Sequence, residues 1–239
     1  MARRPGSVPP PPPPPAAPSA ARSDREKIIE AFMTLLAERR FDAIDFNDIA
    51  ARSGVPLDRC RSEFDSTLAV LSAQLREVDR VVLAGADTDM AEEPPRERLF
   101  DILMRRLEAL APHKAAIRSL ADSARCNPGL ALALNCLATR SQNWMLAAAG
   151  ISSGGLRGAI RSQGLACLYA DVLRVWLRDD DPGLARTMAE LDRQLARGAR
   201  WSRRLDDLCR FLPRRRRRRS DWGRPPVPDP DLREDPLPI

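Results

Sequence analysis

The stretch from Asp24 to Leu71 reads DREKIIEAFMTLLAERRFDAIDFNDIAARSGVPLDRCRSEFDSTLAVL, and its punctuation decides the fold. Ser23 stands where a side-chain oxygen caps a first helix, in which Ile28, Ile29, Phe32, Leu35 and Leu36 recur at helical spacing. Asp45 caps a short second helix over Phe46 to Arg52. Gly54 ends it, and Pro56 or Leu57 opens a third. Ser66 caps a fourth helix that runs to about Val82, with Leu68, Leu71, Leu75 and Val78 on one face. Ile49 and Ala50 are expected to pack inward, Val55 to seal the corner, and Phe64 to close the core after the third helix.

A short scaffold helix, a tight glycine turn and a second short helix make a helix-turn-helix, which presents its second helix to the major groove of DNA. "DIAARSGV" after "REKIIEAFMTLLAERRFDAIDFNDIA" resembles the head of the TetR family of bacterial transcription regulators. The resemblance covers Ser23 to Leu71, and helix number and length extend it to about Leu212. It implies a homodimer whose heads bind palindromic double-stranded DNA and whose larger helical domain takes a small apolar ligand. Asn47, Arg59, Arg61, Ser62 and Thr67 are the DNA-contact candidates.

Several positions depart from that family's pattern. Where members carry a phosphate-contacting Tyr and a following Lys, this chain has Arg61 and Thr67. Glu63 replaces a frequent His, Asp58 a small residue and Asn47 a common Arg. Over Ser23 to Ala84, nine Arg and Lys face twelve Asp and Glu, a net of −3. Phosphate neutralisation supplies most non-specific affinity for DNA, so this head starts at a disadvantage.

The chain of 239 residues is long enough for this head and one larger helical domain. Leu and Ala dominate its apolar residues and no period-2 strand pattern emerges, so the fold class is all-α. The expected division is a disordered Pro-rich arm over 1–22, a head over 23–84, a helical ligand and dimerisation domain over 96–212, and a disordered tail over 213–239 that is basic and then Pro-rich and acidic. Gly85 to Pro95 forms an acidic hinge. Beyond it helices are expected at about Arg96 to Leu110, Pro112 to Cys126, Pro128 to Ala148, Leu156 to Arg178 and Pro182 to Leu212. The pair Leu156 to Arg178 and Pro182 to Arg200 is the expected dimer interface, its two-fold symmetry matching the operator.

The formal charge of +6 equals the contribution of Arg214 to Arg219, so the basic balance belongs to one tail. Cys60, Cys126, Cys136, Cys167 and Cys209 form no C-x-x-C pair, and four of them sit in Leu/Ala-rich stretches as small apolar residues. Their odd number and the absence of a signal peptide favour a cytoplasmic location. No metal, cofactor or catalytic constellation emerges. His113 stands alone at a helix start, and G-x-S-x-G, H-E-x-x-H and phosphate-loop motifs are missing, so a non-enzyme is expected.

Within the larger domain the ligand-pocket candidates are Met104, Leu107, Leu137, Trp144, Leu168 and Tyr169, with Gln142, Asn143 and Gln163 as polar neighbours. Plain core packing is the alternative for each. A second resemblance lies in RSQGLACLYADVLRVWLRDDDPGLARTMAELDRQLARGARW, Arg161 to Trp201, which is similar to ubiquinone-biosynthesis accessory proteins. It implies lipid in the helical cavity, a structural head and a C-terminal amphipathic helix on a membrane. Trp201, Leu205, Leu208 and Leu212 share a helical face, and Arg214, Arg215 and Arg216 open the basic run. That pairing suits an anionic membrane surface or nucleic acid, or is a solvated tail. Recruitment of a protein partner through the polyproline arm is a further class.

Overall fold

A computed structural model describes residues 23–85 and 92–211, with side chains described through Arg200. The described residues are mostly helical, with no strand among them. The order is α1 (Asp24–Glu38), α2 (Phe46–Ser53), α3 (Leu57–Glu63), α4 (Thr67–Ala84), α5 (Pro95–Leu110), α6 (Lys114–Cys126), α7 (Pro128–Ala148), α8 (Gly155–Trp176) and α9 (Ala185–Phe211). Short 3-10 turns at Phe41–Ala43 and Ala111–His113 link α1 to α2 and α5 to α6. The compact unit runs to Ser202, and the last turns of α9 from Arg203 fall in a second unit. Residues 86–91 of the acidic hinge lie outside the described residues.

The head forms where its caps predict. Ser23 Oγ accepts from Glu26 N–H at 3.3 Å, and the Glu26 carboxylate accepts from Ser23 N–H at 2.9 Å. Asp45 and Asp48 repeat this reciprocal box at the start of α2, at 2.9 and 3.3 Å. Each box satisfies two N–H groups left without helical partners, worth about 1 kcal/mol for a side-chain cap such as Ser23. Gly54 ends α2 in the left-handed region with φ 69°. An L side chain there costs roughly 1–2 kcal/mol, which is why glycine sits at this turn. Ile28, Phe32, Leu36, Ile49, Val55, Cys60 and Phe64 close the core beneath it.

That core does not end at the head. Ala116 of α6 is part of it, with Leu120 and Leu134 packed against it. Phe41 N–H donates to Ser123 Oγ at 3.0 Å, and Ser119 O–H donates to the Arg39 carbonyl at 2.7 Å. Thus α6 is held to the head by apolar burial and by two hydrogen bonds that give the loop after α1 its partners.

The second core joins α4, α5, α7, α8 and α9 around Leu103, Leu107, Met145, Val172, Trp176 and Leu191. Each such side chain contributes roughly 1.5–3 kcal/mol when fully buried. Lys114 and Arg118 at the start of α6 donate to the Asp179 and Leu177 carbonyls, satisfying oxygens that α8 leaves open as it ends.

Expected and observed ends differ most at the last helix. Pro182 does not open α9; a turn precedes it. Asp181 accepts from Gly183 and Ala185 N–H at 3.2 Å, and Leu184 adopts φ 51°. Asp179 accepts from the Thr187 hydroxyl and N–H at 2.7 and 3.0 Å, and these bonds hold its carboxyl below the usual aspartate range. The carboxylates favour a side-chain turn over helix, so α9 starts at Ala185.

Candidate functional site

The turn at Gly54 places α3 on the surface, anchored by Cys60 and Phe64. Its outward residues include Leu57, Asp58, Arg59, Arg61 and Ser62, all exposed. Arg59 meets Asp24 of α1 at 3.5 Å, and Arg61 meets Asp65 at 2.5 Å. Their side chains remain 61% and 70% exposed, so neither arginine is withdrawn into the protein. Exposed pairs of this kind contribute about 0–1 kcal/mol, little enough for a phosphate to displace the carboxylate. Ser62 donates to the Arg59 carbonyl at 2.8 Å. Asn47 is exposed on α2, while Thr67 is half-buried at the start of α4. Arg25 of α1 adjoins this face: its guanidinium lies 4.5 Å from the Phe64 ring centroid and 3.4 Å from Glu63.

Several of the head's acids are occupied in building it. Glu26, Asp45 and Asp48 belong to the two capping boxes. The Asp45 N–H and Arg39 hold the Asp48 carboxyl below its usual range, and Arg52 does the same for Glu38 across two hydrogen bonds of 2.9 and 2.8 Å. Asp79 is inside the molecule, paired with Arg106. The negative charge beside Arg59 and Arg61 is therefore local, from Asp58 and Glu63 of α3, Asp65 just after it and Asp24 of α1, rather than the sum over the head.

A cavity of about 700 Å³ lies where the head meets the larger bundle. Met33 and Leu36 of α1 and Leu71, Gln74 and Leu75 of α4 form one wall. Ile117 and Leu120 of α6, Leu134 of α7 and Leu173 of α8 continue the apolar lining. Its polar lining includes three buried residues, Arg106, Gln142 and Tyr169, which are 3%, 1% and 4% exposed, and the more open pairs Arg125–Asp122 and Arg174–Asp171 with Arg118 and Arg178. Arg106 pairs with Asp79, which also accepts from the Ser141 hydroxyl at 2.7 Å. Its guanidinium lies 5.7 Å from the Tyr169 ring centroid.

Within this group Arg106 Nε, Gln142 Oε1 and the Tyr169 hydroxyl have no hydrogen-bond partner among the described residues. The hydroxyl is close enough to Arg106 to feel its charge, yet does not meet it at bonding geometry. Burial pushes the Tyr169 phenol up, Arg106 opposing, so it stays protonated. Each unmet buried group costs roughly 1–3 kcal/mol.

Tyr169 is the member of the six expected pocket residues that lines this cavity. Leu107 is buried in the bundle core, and Met104 and Leu168 pack against that core. Leu137 is half-buried on α7 without reaching the cavity. Trp144 is 59% exposed on the outer face of α7. Helical spacing identified residues on the apolar stripes but not which stripe faces the cavity. Of the polar neighbours, Gln142 is at the wall, Asn143 accepts from Ser162 at 3.1 Å, and Gln163 pairs with Asn135.

Arg106 and Asp79 were missed, although the sequence carried a signal. Arg106 continues the stripe of Leu99, Ile102, Leu103, Leu107 and Leu110, and Asp79 stands beside Val78 and one turn before Val82. A charge in register with a buried stripe marks an internal pair.

Cys60 is buried as a small apolar side chain, and burial followed by Asp24 and Asp58 raises its thiol. Cys126, Cys136 and Cys167 are instead exposed, so the apolar role expected of them is not theirs. His113 is half-buried, and no group of metal-ligating residues stands among the described residues. No described helix is long and apolar enough to cross a membrane. The Trp201 side chain, Cys209 and the tail including Arg214, Arg215 and Arg216 lie outside the residues whose side chains are described.

Solved structures share this arrangement. A TetR transcriptional regulator from Nitrosomonas europaea matches 74% of this chain and 99% of its own, with a TM-score of 0.59 and 23% identity. A TetR regulator from Rhodococcus sp. RHA1 matches 73% of this chain and 95% of its own, with a TM-score of 0.50 and 17% identity. A TetR-family regulator from Streptomyces coelicolor matches 77% and 84%, with a TM-score of 0.51 and 17% identity. The chain has the TetR-type fold. No family model and no curated protein matches its sequence.

Proposed function

We propose that this chain is a DNA-binding transcriptional regulator of the TetR type, a homodimer that answers to a ligand in the cavity. The observation that carries the reading is the short α2, the left-handed Gly54 and the outward α3 with exposed Arg59 and Arg61. Arg59, Arg61, Ser62 and Asn47 contact DNA, and the first two neutralise phosphates. Arg25, adjacent to Glu63, is a third cation on the same face.

A second copy docks on α8 and α9. Leu156 and Ile160 on α8 and Met188 on α9 are 78%, 44% and 38% exposed, and Leu156, Ile160, Gly164 and Cys167 follow one another at helical spacing. The two heads then address two half-sites about one helical turn of DNA apart. Ligand acts through walls it shares with the head. Met33 and Leu36 lie on α1, whose other end meets α3, and Leu71 and Leu75 lie on α4. Filling the cavity favours one setting of those helices over another and so changes the spacing of the heads.

A gel shift against the DNA upstream of its own gene tests the reading. Affinity falls steeply with salt in the intact protein, and the slope flattens when Arg59 and Arg61 are both replaced by alanine. Equal binding and equal slope in the variant would remove α3 as the contact surface.

A further inference from the structure

The cavity's polar side is specific enough to name a ligand class, an inference that rests on the ligand-responsive reading above. We propose that it takes an uncharged amphiphile, an alcohol or a phenol, whose hydroxyl is held by Arg106, Gln142 and Tyr169 and whose apolar body lies toward α1, α4 and α6.

The match is one of hydrogen-bonding valence. A hydroxyl has one proton to give and two lone pairs to fill. Gln142 Oε1 needs a donor, Arg106 Nε has an N–H to give, and Tyr169 has an O–H to give. The ligand's proton goes to Gln142, and its oxygen accepts from the other two. A ketone leaves Gln142 unsatisfied, and a hydrocarbon leaves all three.

At this buried end of the cavity, charge disfavours an ionic head group. Arg106 is already balanced by Asp79, whose Oδ1 also accepts from the Ser141 hydroxyl. A carboxylate ligand adds an uncompensated anion to a buried site, and an ammonium places a second cation beside the guanidinium. Tyr169, held protonated by burial, cannot supply a balancing phenolate. Among the charged lining residues, Arg125 and Arg174 pair with Asp122 and Asp171 and Arg118 donates to the Leu177 carbonyl, while Leu36, Leu71, Leu75, Ile117, Leu120 and Leu134 favour an alkyl or ring body. At about 700 Å³ the space is in the range that encloses a drug-sized molecule.

The test is displacement of a neutral fluorescent probe, N-phenyl-1-naphthylamine, from the full chain by 1-decanol, decanoate, decylammonium and 2-undecanone at about pH 7.5. Decanol is expected to bind at least about tenfold tighter than either ion. Tyr169→Phe and Gln142→Leu should each cut decanol affinity about five- to tenfold and narrow its lead over the ketone. Their thermal midpoints verify that both variants are folded. Decanoate binding as tightly as decanol overturns the proposal, as does decanol affinity unchanged in both variants, or no saturable displacement by any of the four. None of these readings involves DNA, so failure in the gel shift is a separate result.

Discussion

The arginines of α3 and the arginine at the cavity sit in opposite circumstances. On α3, Arg59 and Arg61 are exposed and each has a carboxylate beside it. At the cavity, Arg106 is buried and paired, yet its Nε and its neighbours Gln142 and Tyr169 have unmet atoms. A count of partners would rank the α3 arginines as engaged and the cavity as available only in part. Burial reverses the weights. A partner in water is exchanged at little cost, whereas an unmet atom in the interior is a standing penalty that a suitable ligand relieves. Both regions are therefore open to a partner, one because its bonds are weak and the other because its bonds are missing.

The sharpest way to break this contrast is at the buried pair. Arg106→Met leaves Asp79 charged, 8% exposed and without its cation. Loss of one partner from such a pair costs about 3–5 kcal/mol, to be read from urea denaturation. The double change Arg106→Met with Asp79→Leu should recover most of the loss, because no lone charge then remains inside. A single-variant loss below about 1 kcal/mol would mean that the pair is solvated and the cavity wall is open to water there.

The next effect belongs to the head. Gly54→Ala should destabilise by about 1–2 kcal/mol, the cost of the left-handed region for an L side chain. An added Cβ at Gly54 meets nothing within 4 Å, so no clash contributes and the whole cost is backbone conformation. Gly54→Asn should lose less, since Asn tolerates that conformation better. Equal losses for Ala and Asn in thermal melts would point to a steric cause.

Tyr169→Phe carries the opposite sign. Removing a buried hydroxyl without a bond should raise the stability of the unliganded protein by roughly 1 kcal/mol. Calorimetric melting measures this directly. A lowered midpoint would show that the hydroxyl is bonded in solution and would narrow the difference between cavity and head.

These regions were unequally legible in the sequence. Ser23, Asp45, Gly54 and Ser66 announce local events, caps and a turn, each settled by a few adjacent residues, and all four stand at helix ends as expected. The cavity wall is a non-local product of α1, α4, α5, α6, α7 and α8. Periodicity identifies an apolar face but not its neighbour, and α7 is apolar on more than one side. Trp144 consequently faces out while Leu130, Met145 and Leu146 are buried. The onset of α9 was missed for a different reason. Pro182 suits a helix start, but Asp179 and Asp181 together hold five hydrogen bonds of a turn, and that local competition moves the start to Ala185.

The smallest stability effect belongs to the residues expected to matter most for DNA. Arg61→Ala removes an ion pair with a carboxylate that is itself 89% exposed, so unfolding stability should change by less than about 0.5 kcal/mol. The same variant should lower the slope of log affinity against log salt by about 0.9 if Arg61 neutralises one phosphate. Asp65→Asn gives the complementary arm. It frees Arg61 and removes a negative charge from the α3 face, so affinity should rise without loss of fold. A stable Arg61 variant with an unaltered slope would show that the guanidinium stays with Asp65 when DNA is present. Because an exposed pair is so nearly neutral in energy, a fixed pairing there would need a cause other than the attraction between the two charges.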